Sequence, residues 1–218
     1  MKLARASGTL GLAALAVIAS PLAAADGSGW YGGFNIGQSR ANIDDARNTG
    51  NLLGAAFTTT SITDEERDTG YKLFGGYKFN RNFAVEGGYF DPGKYRFTAT
   101  TLSTGTLSGN YKLKGLNLDA VGILPVTEKF SAFGRIGLNY AEAKDSFSGT
   151  GLVAVLDPNP GKRDTNYKLG LGLQYDFSES LGMNFKAERY RINDAAGTRG
   201  EVDLFSAGLI YRFSTKRP

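Results

Sequence analysis

Cysteine and histidine are both absent from the chain. Without cysteine there can be no disulfide, no lipid-modified thiol and no thiolate metal site, although the absence names no compartment. Without histidine, the commonest general base and the commonest metal ligand are missing. After residue 25 no segment approaches the roughly 20 apolar residues that a membrane-crossing helix needs. A strong charge of one sign is missing too. The formal net charge is +4, and setting aside Lys2 and Arg5 leaves 23 basic against 21 acidic residues. A pI near 9.2 is then no argument for nucleic acid, whose binders concentrate Lys and Arg on one face.

Glycine is abundant, at 30 of 218 residues, and a chain of this length fits one barrel as readily as two small domains. Residues 1–25 read as a cleaved secretory signal, with Lys2 and Arg5 as the basic start, Leu10 to Ala19 as the apolar centre and Ala23-Ala24-Ala25 as the cleavage site. The expected mature domain is 26–218.

The stretch Tyr167 to Phe177 shows the pattern most clearly. Tyr167, Leu169, Leu171, Leu173, Tyr175 and Phe177 alternate with Lys168, Gly170, Gly172, Gln174 and Asp176. Side chains on a strand point to alternate faces, so this is a strand with one bulky apolar face and one thin polar face. The pattern recurs about eight times, in strands beginning near Trp30, Tyr71, Phe83, Leu116, Phe130, Tyr167, Leu181 and Phe205. Asp91-Pro92-Gly93 marks a turn or bulge. The segments 42–68, 98–110, 141–164 and 193–200 read as long connections, the second with strands possible inside it as a hairpin. The connections at 80–82, 125–129 and 178–180 are short. This asymmetry predicts an eight-stranded antiparallel up-and-down transmembrane barrel, with short periplasmic turns, longer external loops and both termini periplasmic. A strand in lipid cannot leave an edge unpaired, so the barrel must close.

Alternation alone fits a soluble ligand-binding barrel with its apolar face inward equally well. Aromatic placement favours the membrane reading. Trp30, Phe79, Phe83, Phe130, Phe177 and Phe213 lie beside the short turns, and Tyr71, Tyr89, Tyr140 and Tyr167 lie toward the long loops. Ten steps of about 3.4 Å, tilted by roughly 40°, cover on the order of 26 Å, close to the apolar band of such barrels. The polar face carries Glu86, Asp119 and Glu188 against Lys72, Arg135, Lys168 and Lys186, and its glycines suit a bore with little room for side chains.

The opening Trp30-Tyr31-Gly32-Gly33, the runs Phe74-Gly75-Gly76-Tyr77 and Glu86-Gly87-Gly88-Tyr89, and the ending Tyr211-Arg212-Phe213 resemble the OmpA-like outer-membrane barrel family. The resemblance implies a bacterial outer-membrane location. It also implies assembly by the barrel-assembly machinery, which reads a final aromatic such as Phe213, and a lumen filled by an acid–base network. Glu86, Arg135 and Glu188 match that network by motif, while Lys168 and Lys186 match on parity alone. The family's namesake continues into a peptidoglycan-binding domain; this sequence stops at Pro218, so peptidoglycan anchoring is not carried over.

The expected function is structural: a monomeric, non-enzymatic barrel supporting the envelope, its lumen plugged by paired charges and its loops free for surface contacts. A narrow pore for ions or small solutes is the alternative. Barrels of this kind that are enzymes pair a histidine with Ser, Asp or Glu, which this chain cannot do. Asp44, Asp45, Asp64, Glu65 and Glu66 read as solvated loop, and no cofactor or metal is expected. Lys112, Lys114, Arg189 and Arg191 share parity with the apolar face and should sit just beyond the tyrosine belt, at the height of lipopolysaccharide headgroups. Generic snorkelling of rim cations is the other account of them.

Overall fold

The computed structural model describes residues 28–42, 59–65, 67–101, 105–151, 161–193 and 199–213. The expected signal segment lies outside these residues, as do Asp44, Asp45 and Glu66. Among the described residues nine β-elements follow one another: β1 Gly29–Asn42, β2 Thr59–Glu65, β3 Arg67–Lys78, β4 Phe83–Thr101, β5 Gly105–Pro125, β6 Phe130–Gly149, β7 Gly161–Asp176, β8 Leu181–Asn193 and β9 Arg199–Arg212. All pairings are antiparallel. Each of β3 to β9 pairs with its neighbour in sequence, and β1 pairs with both β3 and β9, which closes an eight-stranded barrel. Short β2 continues the β3 edge and pairs with the distal half of β4.

Three short turns join β3–β4, β5–β6 and β7–β8 at one end, where Gly29 and Phe213 also lie. Each turn is held by a side chain that can accept from the backbone three residues on. Asn80 Oδ1 accepts from Phe83 N at 2.9 Å, Thr127 Oγ1 from Phe130 N at 3.0 Å and Ser178 Oγ from Leu181 N at 3.0 Å. These are the local bonds that favour Asn, Ser and Thr in turns.

At the opposite, loop end the strands run farther than alternation near the bilayer suggests. Much of the expected loops is strand: 59–65, 67–68, 98–101, 105–110, 141–149 and 161–164. Only residues 102–104 separate β4 from β5. Thr, Ser and Gly in these segments signal a loop by composition, yet they also occupy the outer faces of hairpins standing in water. Asp91-Pro92-Gly93 is a bulge, with the β4–β5 register shifting between Phe90 and Gly93. Gly93 adopts φ 100°, and a Cβ there would meet Asp68 Oδ2 at 2.4 Å. The extra residue reverses the parity of β4, so Phe83 and Tyr89 face out below it whereas Tyr95 and Ala99 face in above it.

The bulky face is outside. Leu169, Leu171 and Leu173 are exposed, Leu171 to 67%, as are Phe34, Ile36, Leu116, Leu118, Ile136 and Leu138. A wall of this kind is stable only against hydrocarbon. Among the described residues no helix is long and apolar enough to cross a membrane. At the turn end Trp30, Phe83, Phe177 and Phe213 are exposed, with Phe79 and Phe130 half-buried beside them. Tyr77, Tyr175 and Tyr211 join that belt through edge-to-face pairs such as Trp30–Tyr77 at 5.1 Å and Tyr175–Phe177 at 5.5 Å. Toward the loop end, Tyr71, Tyr140 and Tyr167 are exposed and Tyr71 packs on half-buried Tyr89 at 6.3 Å.

Candidate functional site

The lumen has three levels. In the middle, Glu86 of β4 lies directly opposite Asp119 of β5. Two carboxylates so placed repel unless cations lie between them. Arg135 Nη1 donates to Glu86 Oε1 at 2.6 Å and to Glu188 Oε1 at 3.3 Å. Lys168 Nζ donates to Glu188 Oε1 at 2.6 Å and to Asp119 Oδ2 at 2.8 Å. Lys72 Nζ donates to the same Glu188 oxygen at 2.9 Å and lies 3.4 Å from Glu86 and 3.6 Å from Asp119. All six side chains are buried, Lys72 and Lys168 completely.

Glycine makes this approach possible. A Cβ on Gly137, between Asp119 and Lys168 in register, would stand 2.2 Å from Asp119 Oδ1. One on Gly170, between Arg135 and Glu188, would stand 2.9 Å from Arg135 Cγ and 3.1 Å from Glu188 Cγ. Charges removed from water need this closeness, because only near contact offsets their lost hydration.

Toward the loop end the lumen turns apolar. Phe90 and Tyr190 are fully buried and stack at 4.4 Å, with Lys168 Nζ 4.8 Å from the Tyr190 ring centre. Leu113, Ile192, Val202, Leu204, Tyr95 and Phe147 continue the cluster. On β5 the apolar residues Leu116 and Leu118 face out, and three and five residues farther along Leu113 and Tyr111 face in. The apolar face thus changes sides where the strand leaves the hydrocarbon. Beyond that height the barrel is built like a soluble one, so the polar, glycine-lined bore expected throughout is confined to the membrane band.

Toward the turn end a cavity of about 310 Å³ lies below the charge layer, lined by Phe74, Val121, Ile123, Phe133, Asn184, Lys186 and Ile210 among others. Lys186 stands apart from the other expected network residues. Among the described residues its Nζ has no hydrogen-bond partner, and it rests 3.4 Å from the centre of the Phe74 ring. Four buried cations therefore share three carboxylates, so the charges of this layer do not cancel.

Residues 9–213 match the outer membrane protein beta-barrel domain family. The chain belongs to that family. Outer membrane protein A of Salmonella typhi is 26% identical over 205 residues, which cover 93% of this chain and 53% of that one. The chain thus spans about half the length of that relative. An uncharacterized protein of Coxiella burnetii (strain RSA 493 / Nine Mile phase I) is 25% identical over 216 residues, covering 86% of each. In fold, the crystal structure of Neisserial surface protein A is similar at a TM-score of 0.55 and 14% identity, covering 86% of this chain and 100% of that one.

Around this outer-membrane barrel, the four rim cations differ in their surroundings. Lys114 lies 3.7 Å from Glu142, the pair standing two residues beyond Leu116 and the belt residue Tyr140. Lys112 is exposed and lies opposite both Lys94 and Lys144. Arg191 donates to the Tyr167 hydroxyl and covers its ring at 5.3 Å. Arg189 is in register with Leu169, so it does not lie beyond the tyrosine belt as expected. It is engaged by Asp203 through two bonds of 2.6 and 2.8 Å and by Glu201 at 3.1 Å. The reason is cross-strand: Arg189 and Asp203 are direct partners on β8 and β9, a pairing that parity on one strand does not reveal.

Lys72 is the residue whose weight in the lumen sequence reading understates. Its parity places it on the polar face, but its contact with Glu188, 116 residues away, exists only because the barrel closes.

Proposed function

We propose that this protein is a monomeric, non-enzymatic structural barrel that supports the outer membrane, with its lumen closed to solutes. One observation carries the reading: the charge layer is capped by the fully buried Phe90–Tyr190 stack and the apolar cluster beyond it. An ion crossing the lumen would have to separate ion pairs of 2.6–2.9 Å and then enter a dry apolar segment, each step costing several kcal/mol. Both termini lie on the periplasmic side, since they share the end with the short turns, and the final Phe213 presents the barrel to the assembly machinery.

The loop end faces outward and contacts lipopolysaccharide. Support comes from Lys94, Lys112 and Lys144, which stand side by side across β4, β5 and β6 on the outer wall. Like charges placed opposite one another repel, and an anionic phosphate between them would relieve the repulsion. Planar-bilayer recording tests closure: only small, rare current events are expected, and a large steady conductance would establish the narrow pore instead. Loss of the chain should sensitise cells to bulky hydrophobic antibiotics, and unchanged sensitivity would remove the envelope role. Replacing Lys94, Lys112 and Lys144 together by Gln should reduce co-purifying lipopolysaccharide, whereas Arg189→Gln should change it little. Equal retention in both variants would refute the rim contact.

A further inference from the structure

We propose that the turn-end vestibule is a binding site for a small amphiphilic monocarboxylate, whose carboxylate meets Lys186 and whose short apolar body lies along Val121, Ile123 and Ile210. Lys186 is 4% exposed, lines the cavity and, among the described residues, has no hydrogen-bond or ion-pair partner. Its ring contact with Phe74 supplies attraction but no acceptor. Glu86 attracts it from a distance, but among the described residues no carboxylate reaches it at ion-pair distance. Glu86 is taken by Arg135 at 2.6 Å and Lys72 at 3.4 Å, with the Tyr31 hydroxyl 3.5 Å away, and Glu188 and Asp119 are held by Lys72, Lys168 and Arg135. At the mouth, Glu179 stands with Lys78 and Arg212, and Arg212 donates to Asp176. The chamber is thus on balance positive, and among the described residues Lys186 Nζ and Arg135 Nε are buried donors of its lining residues that meet no acceptor.

Its volume of about 310 Å³ holds roughly ten waters at about 30 Å³ each, or one small organic molecule. The walls decide which. Val121, Phe133, Ile210 and Phe74 form one buried apolar cluster with Ile123 packed against it. A bare inorganic anion would leave these walls facing water, and a neutral apolar molecule would leave Lys186 unpaired. An alkyl or aryl carboxylate satisfies both. The site needs only the vestibule, so it stands whether or not the lumen above conducts.

The test uses the folded chain in phosphatidylcholine nanodiscs, titrated with hexanoate, hexanol or acetate and followed by amide and lysine side-chain NMR shifts. Hexanoate should give saturable shifts at Gly182–Lys186, Val121–Ile123 and Ile210, with hexanol and acetate each about tenfold weaker or more. Lys186→Met should weaken hexanoate about tenfold or more through loss of a charge-assisted bond. Ile123→Trp, which fills the chamber and leaves Lys186 in place, should abolish the shifts and decides the matter if the Lys186 variant does not fold. Hexanol binding as tightly as hexanoate would reduce the site to an apolar void. Acetate matching hexanoate would reduce it to an anion site, and either result overturns the proposal. So would hexanoate shifts that persist in both variants.

Discussion

Replacing Glu188 by Gln removes one negative charge from the point where three cations meet. Lys168, Lys72 and Arg135 lie 2.6, 2.9 and 3.3 Å from its Oε1. In the variant four buried cations would face only Glu86 and Asp119. An amide oxygen can still accept one hydrogen bond, but it cannot neutralise an ammonium. Breaking a buried, hydrogen-bonded ion pair costs about 3–5 kcal/mol, because the remaining charge stays desolvated. With a urea dependence of about 2 kcal/mol per M, the unfolding midpoint should fall by roughly 1.5–2.5 M. Two signals follow the transition in lipid or detergent. Folded barrels migrate differently from unfolded chains on unboiled gels, and the single tryptophan, Trp30, sits exposed on the lipid-facing wall, so its emission reports passage into water. Adding Lys168→Met to the variant leaves three cations against two carboxylates and so restores the parent's excess of one. The double substitution should recover stability, with a coupling of about 2–3 kcal/mol between the two sites. A midpoint that barely moves in Glu188→Gln, or strictly additive effects in the double variant, would show that these side chains do not act as one network.

Lys168→Met alone should destabilise strongly, whereas Lys186→Met should stay within about 1 kcal/mol of the parent, since losing a cation–π contact of about 2 kcal/mol is offset by removing an unpaired buried charge; equal urea midpoints for the two variants would contradict the assignment. Phe90→Ala leaves a void beneath the aromatic cap and should cost about 3–5 kcal/mol, and in planar bilayers it should raise the frequency of current events if the cap seals the lumen. Beyond the tyrosine belt, the bond from Arg163 at 2.8 Å holds the Glu142 carboxyl below its ordinary value of 4.5, with Lys144 and Lys114 adding to the effect. A carboxylate with a depressed folded value contributes stability above the unfolded value and loses it as pH falls through the folded one. Glu142→Gln should therefore be slightly less stable than the parent at pH 7 and indistinguishable once the carboxyl is protonated in both states. A difference that persists in strong acid would assign the effect to something other than this charge. Its magnitude is small because the pair is solvated.

Several features can be read directly from the chain. The alternation from Tyr167 to Phe177 sets a lipid-facing row and a lumen-facing row, and the same period places Glu86, Asp119, Arg135, Lys168 and Glu188 inside. Asn80, Thr127 and Ser178 mark three turns for a local chemical reason. The distal halves of the hairpins are harder to read. Leu113, Tyr111, Ala143 and Ile192 keep the parity of their strands while the apolar face switches sides. Only a known membrane boundary distinguishes that switch from a loop. On β4 the bulge at Asp91-Pro92-Gly93 reverses parity as well, so the inward placement of Tyr95 cannot be counted from Phe83.

Within the membrane band the sequence by itself determined which side chains line the wall and which line the bore, because a strand's period of two is a property of the backbone. It could not decide which charges meet. Lys186 and Glu188 are neighbours on the same face, a spacing at which Asn117 and Asp119 do bond, at 2.8 Å, yet among the described residues Lys186 Nζ bonds to no carboxylate. Closing the barrel brings Lys72 of β3 onto Glu188 of β8, sets Arg189 against Asp203, and leaves Lys186 facing a chamber instead of a carboxylate. Those outcomes depend on the register and curvature of all eight strands together, and so belong to the tertiary structure alone.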